Sequence, residues 1–439
     1  MVRLLKLYAL RGGVLLGISA LGSKFLGLWR DRLVVSTFSP ESSDLVYAAF
    51  RIPDFFYYLL VGATVSVIFL PRLVGLSERE KIEYMSSFLW GVLVFFGVLS
   101  AFCFLMAPVL ATWFASGFSP DIQQGVSNLA RFLFGSVFLL SLSSVFAAAL
   151  QAQQRFVSIA LAPLFYMGFI ALGLYVFKDY FGVNIVGYGA LAGAITHLLI
   201  TSGAYFLTGQ RVALVWKKPA AAWLNFWPDF GRRVFNNAAF QINQTVDILI
   251  ASFLAIGAVT SFTLGTNLGH FLLSIVGLSV ANSAFPKLAN AKHNYPLQRK
   301  ILLSSAKWIF FFCAPAAVVC AVFSTQILQL LFTLENERLQ MAQVVFFWTV
   351  ISLPLTCVLP LLARVFLAND DTVSPLYATI ISLVVATSTA AYLSLVYLPK
   401  DQAILGLALG NFVANTLGFI LFISLIWWKY ERVHKNNHV

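Results

Sequence analysis

Charge is absent from this chain in long blocks. No Asp, Glu, Lys or Arg lies between Glu83 and Asp121, Asp179 and Arg211, Lys307 and Glu335, Arg338 and Arg364, Asp371 and Lys400, or Asp401 and Lys429. Each block exceeds the roughly 20 residues that a helix needs to cross ~30 Å of hydrocarbon. In lipid every backbone polar group must be satisfied internally, so only helices and closed barrels can span. A barrel is written in short alternating segments, and these blocks are long and continuously apolar. Composition agrees: 60% of the 439 residues are apolar and 10% are charged, against about 25% charged in an ordinary soluble domain. The chain is an integral helical membrane protein.

The pattern predicts about twelve spans, over residues 10–36, 45–71, 86–110, 126–150, 156–177, 185–208, 233–255, 258–286, 308–332, 341–367, 374–397 and 403–428. The first continues into Lys24 and Arg30 and lacks a small-residue cleavage site, unlike a secretory signal. Positive charge is retained on the cytoplasmic side, and about twenty of the 29 Lys and Arg residues fall on the side shared by both termini. The opposite loops hold only Lys178, Arg338 and Lys400. Both ends are therefore expected in the cytoplasm. The net charge of +12 reflects this bias and attraction to anionic membrane lipids, not nucleic-acid binding. Cys103, Cys313, Cys320 and Cys357 lie in apolar spans without paired spacing. They read as small hydrophobes, not as disulfides or metal ligands.

Two segments about 215 residues apart read alike. One runs from Asp31-Arg-Leu-Val-Val-Ser to Phe69-Leu-Pro71-Arg-Leu73, the other from Asp247-Ile-Leu-Ile-Ala-Ser to Phe285-Pro286-Lys-Leu288. The polar break at Gln151–Arg155 finds its counterpart at Ala368–Asp371. These landmarks predict an all-α membrane fold of two parallel six-helix repeats around a central cavity. The expected organisation is an N-terminal lobe over 1–208, a basic, tryptophan-rich interfacial linker over 209–232, and a C-terminal lobe over 233–439 ending in a short basic tail.

Ionisable residues inside spans cost several kcal/mol and mark cavities or pathways by default. Here they concentrate in the first two spans as Lys24, Arg30, Asp31, Arg32, Asp44, Arg51 and Asp54, with Arg131 in the fourth. Lys24 and Asp31 share a helical face, as do Asp44 and Arg51. The balance of five cations to three carboxylates suits an anionic group such as a pyrophosphate. Lys24, Arg30, Asp31, Asp44 and Arg51 are the candidate substrate-binding residues, and Arg32, on another face, reads as a solvated interfacial charge. Asp247 is the deepest carboxylate of the second half, in a span rich in Asn236, Asn237, Gln241, Asn243 and Gln244. Such oxygen-rich surroundings can coordinate sodium or relay a proton, so Asp247 is the candidate ion-coupling residue. No other metal or cofactor is indicated. Arg364 divides between ligand contact and structural pairing, and the lone His270 reads as packing. No HExxH, P-loop or Ser/His/Asp arrangement is present, which points away from an enzyme.

The stretch Ser23-Lys-Phe-Leu-Gly-Leu-Trp-Arg30-Asp31, followed by Ser43-Asp44-Leu-Val-Tyr-Ala-Ala-Phe-Arg51-Ile-Pro53-Asp54, resembles the N-terminal signature of the MurJ/MviN family, and Gly62-Ala63 and Phe69-Leu-Pro71 continue it. The resemblance implies the multidrug/oligosaccharidyl-lipid/polysaccharide exporter fold and, at the bacterial inner membrane, export of lipid II, the undecaprenyl-pyrophosphate-linked peptidoglycan precursor; the repeat and the charge asymmetry lead to the expectation of alternating access by rocking of the two halves. It also implies a cavity role for Arg30, Asp31 and Asp44, with Lys24 in place of the usual Arg. Asp247 falls where some relatives place a sodium ligand. Tyr57 and Asn267 stand where the family commonly has arginines, and about twelve spans stand against fourteen in many members. Two neighbouring readings use the same fold: a flippase for another polyprenyl-linked glycan, and a cation-coupled exporter, against whose often cationic cargo the basic balance argues.

Overall fold

Long apolar blocks become long helices, and the breaks between them are short and chemically marked. The computed structural model describes residues 2–61, 69–73, 75–212, 226–292, 294–371 and 373–432. In chain order the helices begin with α1 (Val2–Thr37), α2 (Pro40–Phe56, running into a π-turn at Tyr57–Val61), α3 (Leu70–Leu73), α4 (Glu78–Leu105) and α5 (Ala107–Phe114). They continue with α6 (Pro120–Ala152), α7 (Phe156–Phe181), α8 (Asn184–Phe206) and α9 (Phe226–Ser252). Next come α10 (Ala258–Leu272, with a π-turn at Leu273–Gly277), α11 (Leu278–Asn290), α12 (Tyr295–Val322) and α13 (Ser324–Leu331). The last are α14 (Asn336–Ala368), α15 (Val373–Tyr392, with a π-turn at Leu393–Tyr397) and α16 (Ile404–Ile426). The described residues contain no strand.

Side chains set several starts. Ser39 accepts from the Ser42 amide ahead of Pro40, whose missing N–H costs nothing in a first turn. Ser77 and Glu80 form a capping box at α4, and Asn294 accepts from the Leu297 amide at α12.

Ten described segments are long and apolar enough to cross a membrane, against the twelve expected. The two outside that set are the second and the seventh. Both are helical where described, as α2 and α9, but α2 carries Asp44, Arg51 and Asp54, and α9 carries Gln241, Asn243, Gln244 and Asp247. Their polar faces lower the mean hydropathy, while Asp44 and Asp247 are buried by protein.

Contacts divide the chain at Thr245/Val246, inside α9, so that residues 226–245 group with the first unit. The expected linker falls mostly on residues 213–225, outside the described residues, as does Gly62-Ala63. In the first unit α6 is the hub, packed by α2, α4 and α8, with α7 on α8 and α1 on α7. In the second, α14 is the hub, packed by α10, α12 and α16, with α15 on α16. The repeat extends to helix lengths. Helices α4 and α12 have 28 residues each, α5 and α13 have 8, α6 and α14 have 33, and α8 and α16 have 23. Both π-turns that follow the second helix of the repeat, Tyr57–Val61 and Leu273–Gly277, are 5 residues long.

Two finer devices recur. Each hub ends in a Schellman turn built on a residue other than glycine: Gln154 at φ 58° and Asp370 at φ 59°. Arg155 N–H reaches back to the Leu150 carbonyl at 2.9 Å, and Asp371 N–H to the Phe366 carbonyl at 3.0 Å, satisfying carbonyls that the helix end leaves open. The last helix pair of each unit meets through a Gly-x-x-x-Gly stripe. A methyl on Gly193 would stand 2.7 Å from the Tyr166 carbonyl oxygen, and one on Gly410 would stand 2.6 Å from the Ala390 methyl. Small residues let membrane helices approach until their backbones touch, where lipid supplies no hydrophobic drive between them.

Each unit has its own apolar core. The first gathers Phe69, Phe88, Phe96, Phe146 and Leu150; the second gathers Leu288, Ile309, Cys313, Cys357 and Phe366. The four cysteines are free thiols, and Cys313 and Cys357 meet through their sulfurs. At the end of the second hub Asp371 caps α15, accepting from Val373 N–H and Ser374 N–H, and takes Lys429 Nζ at 2.6 Å. Burial works to raise its pKa, but the hydrogen bonds from Lys429 and Ser374 outweigh it and hold the carboxyl down at about 2. Beside it Lys292 pairs with Asp370.

Candidate functional site

The intramembrane charges of the first unit come together where α1 and α2 face α7 and the middle of α9. Asp31 is buried, and Arg30 grips one of its oxygens with two donors, Nε at 3.0 Å and Nη2 at 2.6 Å. The Arg30 guanidinium also lies over the Phe50 ring, 5.3 Å from its centroid, where the negative face of the ring attracts it. One turn of α2 places Asp44 and Tyr47 on the same buried face. The Tyr47 phenol lies within electrostatic reach of Asp31, Arg30 and Asp44. Asp54 feels both Arg51 and Arg30, and Tyr166 of α7 completes the surroundings of Arg30 and Asp54.

Arg51 has a different set of partners. Its Nε donates to Thr245 Oγ1 at 3.1 Å and its Nη1 to Gln244 Oε1 at 2.9 Å; its Nη2 reaches both the Gln241 carbonyl at 2.7 Å and Gln241 Oε1 at 3.0 Å. Gln241, Gln244 and Thr245 stand at i, i+3 and i+4 on one face of α9, which is how three side chains converge on one guanidinium. Gln241 and Gln244 were expected to enrich the surroundings of Asp247; in this structure they accept from Arg51. The side chains of Asn236 and Asn237 lie outside the described residues.

The other expected residues divide. Lys24 is half-buried on α1, and Arg32 is exposed, in keeping with an interfacial charge. Arg131 donates to Asn128 at 3.4 Å and lies over Phe104; Arg364 donates to Asn282 at 2.8 Å and lies over Phe285. His270 is half-buried. In the second unit Asp247 is 5% exposed. Among the described residues no three of His, Cys, Asp and Glu converge as metal ligands. Away from the charge cluster, a cavity of about 310 Å³ opens among Glu78, Lys81, Gln153, Arg155 and Gln210.

Tyr47, Tyr166 and Thr245 were not singled out by the sequence. Tyr47 sits in the quoted signature, three residues after Asp44, and that spacing is the available signal. Tyr166 is distant in sequence and carries none.

Chemically the cluster is a set of arginines held in a low-dielectric interior by acceptors they can exchange. A guanidinium offers five donors in a fixed fork that fits phosphate or carboxylate oxygens.

Solved structures share this architecture. One described as "Lipid II flippase MurJ, inward closed conformation" superposes with a TM-score of 0.79 at 19% identity, covering 94% of this chain and 87% of that one. An inward-facing multidrug resistance MATE family transporter of the MOP superfamily superposes at 0.73 and 18% identity, over 92% of this chain and 94% of its own. The fold is therefore shared with these two transporters. The family model described as "Lipid II flippase MurJ" matches residues 38–437. Proteins described as probable lipid II flippase MurJ are similar throughout: 25% identical in Rhizobium tropici over 96% of this chain and 81% of that protein, and 26% in Helicobacter pylori over 87% of each. The chain belongs to the MurJ lipid II flippase family.

Proposed function

We propose that this protein translocates lipid II across the bacterial cytoplasmic membrane by alternating access, with both termini in the cytoplasm. The observation that carries the reading is the buried Arg30–Asp31 pair, with Asp44, Tyr47, Arg51 and Asp54 around it, inside an otherwise apolar unit of this family's fold. A scaffold would gain nothing from the cost of such charges.

The exchange chemistry follows from the partners. A pyrophosphate approaching Arg30 competes with Asp31 for the same fork, so no bare cation is buried at any stage. Arg51 feels Asp54, but its hydrogen bonds to α9 are to neutral amide and hydroxyl oxygens, roughly half as strong as bonds to an anion. It is therefore readily recruited to phosphate. Lys24, two turns along α1 on the face of Asp31, adds a further cation toward the cytoplasmic side. After release, Asp31 and the oxygens of α9 take the guanidiniums back. The polyprenyl tail stays in lipid, which spares the protein from enclosing it. Asp247, the buried carboxylate of the second unit, is assigned the coupling ion, sodium or a proton, and the membrane potential biases the cycle.

The test is complementation of a bacterium depleted of its own lipid II flippase. The parent chain is expected to restore growth and cell shape, and Arg30→Ala at equal membrane level is expected to fail. Rescue by Arg30→Ala would remove the cluster from the mechanism. Failure of a well-expressed parent, with lipid II still trapped inside, would redirect the assignment to another polyprenyl-linked glycan.

A further inference from the structure

The cavity of about 310 Å³ in the first unit takes no part in that scheme. It lies where the start of α4 and the ends of α6 and α8 meet, and its volume is that of a small-ligand site. Met85, Ala149 and Ala152 give it apolar walls, while Lys81, Gln153 and Arg155 line its polar side. Among the described residues of the lining the one carboxylate is Glu78, and it is already engaged. It accepts from Lys81 Nζ at 2.8 Å and from Gln210 Nε2 at 2.9 Å. The Lys81 ammonium keeps further N–H donors, and among the described residues no acid pairs with Arg155. The bond from the Arg155 amide to the Leu150 carbonyl anchors this residue at the rim. The lining therefore carries one positive charge in excess.

The second unit shows that the fold does not require such an opening. There Tyr295 takes the place of Glu78 as the first residue of its helix, and Val365 takes the place of Ala149 three residues before the end of the hub. Both pack into the apolar core. Lys81 and Gln153 give way to Gln298 and Asn369, whose side-chain amides bond each other at 3.0 and 3.4 Å, with Gln298 only 1% exposed. Arg155 gives way to Asp371, which Lys429 neutralises. Larger side chains, an amide pair and an ion pair thus fill one corner, and its twin is left open and cationic. The hub α6 has 33 residues, about 50 Å at 1.5 Å per residue, against ~30 Å of hydrocarbon, so Arg155, just beyond its end, lies at headgroup depth.

We propose that this cavity binds a phosphate ester, held by Arg155 and Lys81. The guanidinium fork and the remaining ammonium donors suit phosphate oxygens, the Gln153 amide suits hydroxyl or ester oxygens, and the apolar walls suit the carbons between them. The class has two sources: the headgroup of an anionic phospholipid such as phosphatidylglycerol, or a water-soluble ester such as glycerol 1-phosphate. On the orientation proposed above, the cavity lies on the cytoplasmic side, where anionic lipid attracts basic residues.

The test is native mass spectrometry of the purified full chain in neutral detergent, titrated with phosphatidylglycerol, phosphatidylcholine or glycerol 1-phosphate at constant ionic strength. The parent is expected to bind phosphatidylglycerol saturably and about tenfold more tightly than phosphatidylcholine. Binding in that arm alone identifies the lipid headgroup; binding of glycerol 1-phosphate identifies the soluble ester. Arg155→Gln should weaken the binding about tenfold, the worth of one charge-assisted bond. Ala149→Val, which brings in the side chain of the second unit, should weaken it comparably by filling the space. Arg79→Gln removes a cation that is 89% exposed and outside the lining, and should leave the binding unchanged. It separates a built site from general attraction to a basic surface. Absence of saturable binding in both arms, equal losses in Arg79→Gln and Arg155→Gln, or full retention by Arg155→Gln or by Ala149→Val overturns the site. Should Ala149→Val not fold, Lys81→Gln with Gln153→Asn, which rebuilds the amide pair of the second unit, takes its place. None of these readouts depends on lipid II or on translocation.

Discussion

The first and second units share their hub packing, helix lengths, π-turn, hub cap and glycine stripe, yet they differ in what lies at their hearts. Asp31 keeps its counterpart in Asp247, but Arg30 corresponds to Val246. Asp44, Tyr47, Arg51 and Asp54 correspond to Thr260, Thr263, Asn267 and His270. One backbone therefore supports a densely charged interior and a nearly neutral one. The difference teaches that charge is not what holds this architecture together. Shared features are the architecture; those confined to one unit are the candidates for chemistry.

The largest expected effect tests that division directly. In proteoliposomes carrying lipid II, Arg30→Ala should slow appearance of the substrate at the far face by about 100-fold, the loss of a charge-assisted bidentate contact. Asp247→Asn should cost only about tenfold, the lesser share expected of a coupling carboxylate, and should flatten the dependence on the ion gradient. Equal losses would mean that the second unit is as chemically committed as the first.

Next come the glycine stripes, which ought to be equivalent. Gly193→Val and Gly410→Val should each destabilise by ~1–3 kcal/mol in detergent unfolding, since the new side chain meets a neighbouring helix. A loss confined to one variant would limit the repeat to backbone shape.

The hub caps should differ in sign of charge and therefore in acid response. The folded pKa of Asp371, about 2, lies below the ordinary carboxylate value of ~3.9. Its stabilisation is present above the unfolded value and lost as pH falls through the folded one. Asp371→Asn should therefore cost about 1–2 kcal/mol at neutral pH, a difference that closes between about pH 4 and pH 2. Arg155→Gln, at the corresponding exposed position of the first unit, should change stability by less than about 0.5 kcal/mol at either pH.

The smallest effect concerns the left-handed residues. Gln154→Gly should stabilise by ~0.5–1 kcal/mol, because glycine adopts that backbone without a clashing side chain. Asp370→Gly should gain nothing, because it also removes the partner of Lys292.

Much of this was legible in the chain itself. Charge-free blocks reveal membrane helices because lipid tolerates so little else, and the repeat showed in Asp31/Asp247 and in the polar breaks at 151–155 and 368–371. The Gly-x-x-x-Gly stripes are equally plain once the helix pairs are known. Hydropathy placed α2 and α9 among the spans, yet their polar faces are buried by protein rather than bathed in lipid, and a length-and-apolarity test passes over both. Periodicity groups Gln241, Gln244 and Thr245 on one face. It cannot say that Arg51, nearly two hundred positions earlier, would occupy that face. Tyr166 and the meeting of Cys313 with Cys357 were hidden for the same reason: which helices become neighbours is a tertiary fact.

The π-turns at Tyr57–Val61 and Leu273–Gly277 carry a mechanical meaning. A π-turn admits an extra residue and loosens the regular ladder of carbonyls, leaving a soft point in an otherwise stiff rod. In both units a soft point lies in the second helix; the second unit has another in α15, at Leu393–Tyr397, where Gly406 packs against Leu393 and Ser394. The second-helix soft point is thus common to both units, and the one in the last pair is a feature of the second. In the first unit the hinge follows Asp54 within one turn. A bend there would re-aim Arg51 and Asp54 together, so that the same flexion that opens a passage also changes which oxygens its arginine can reach.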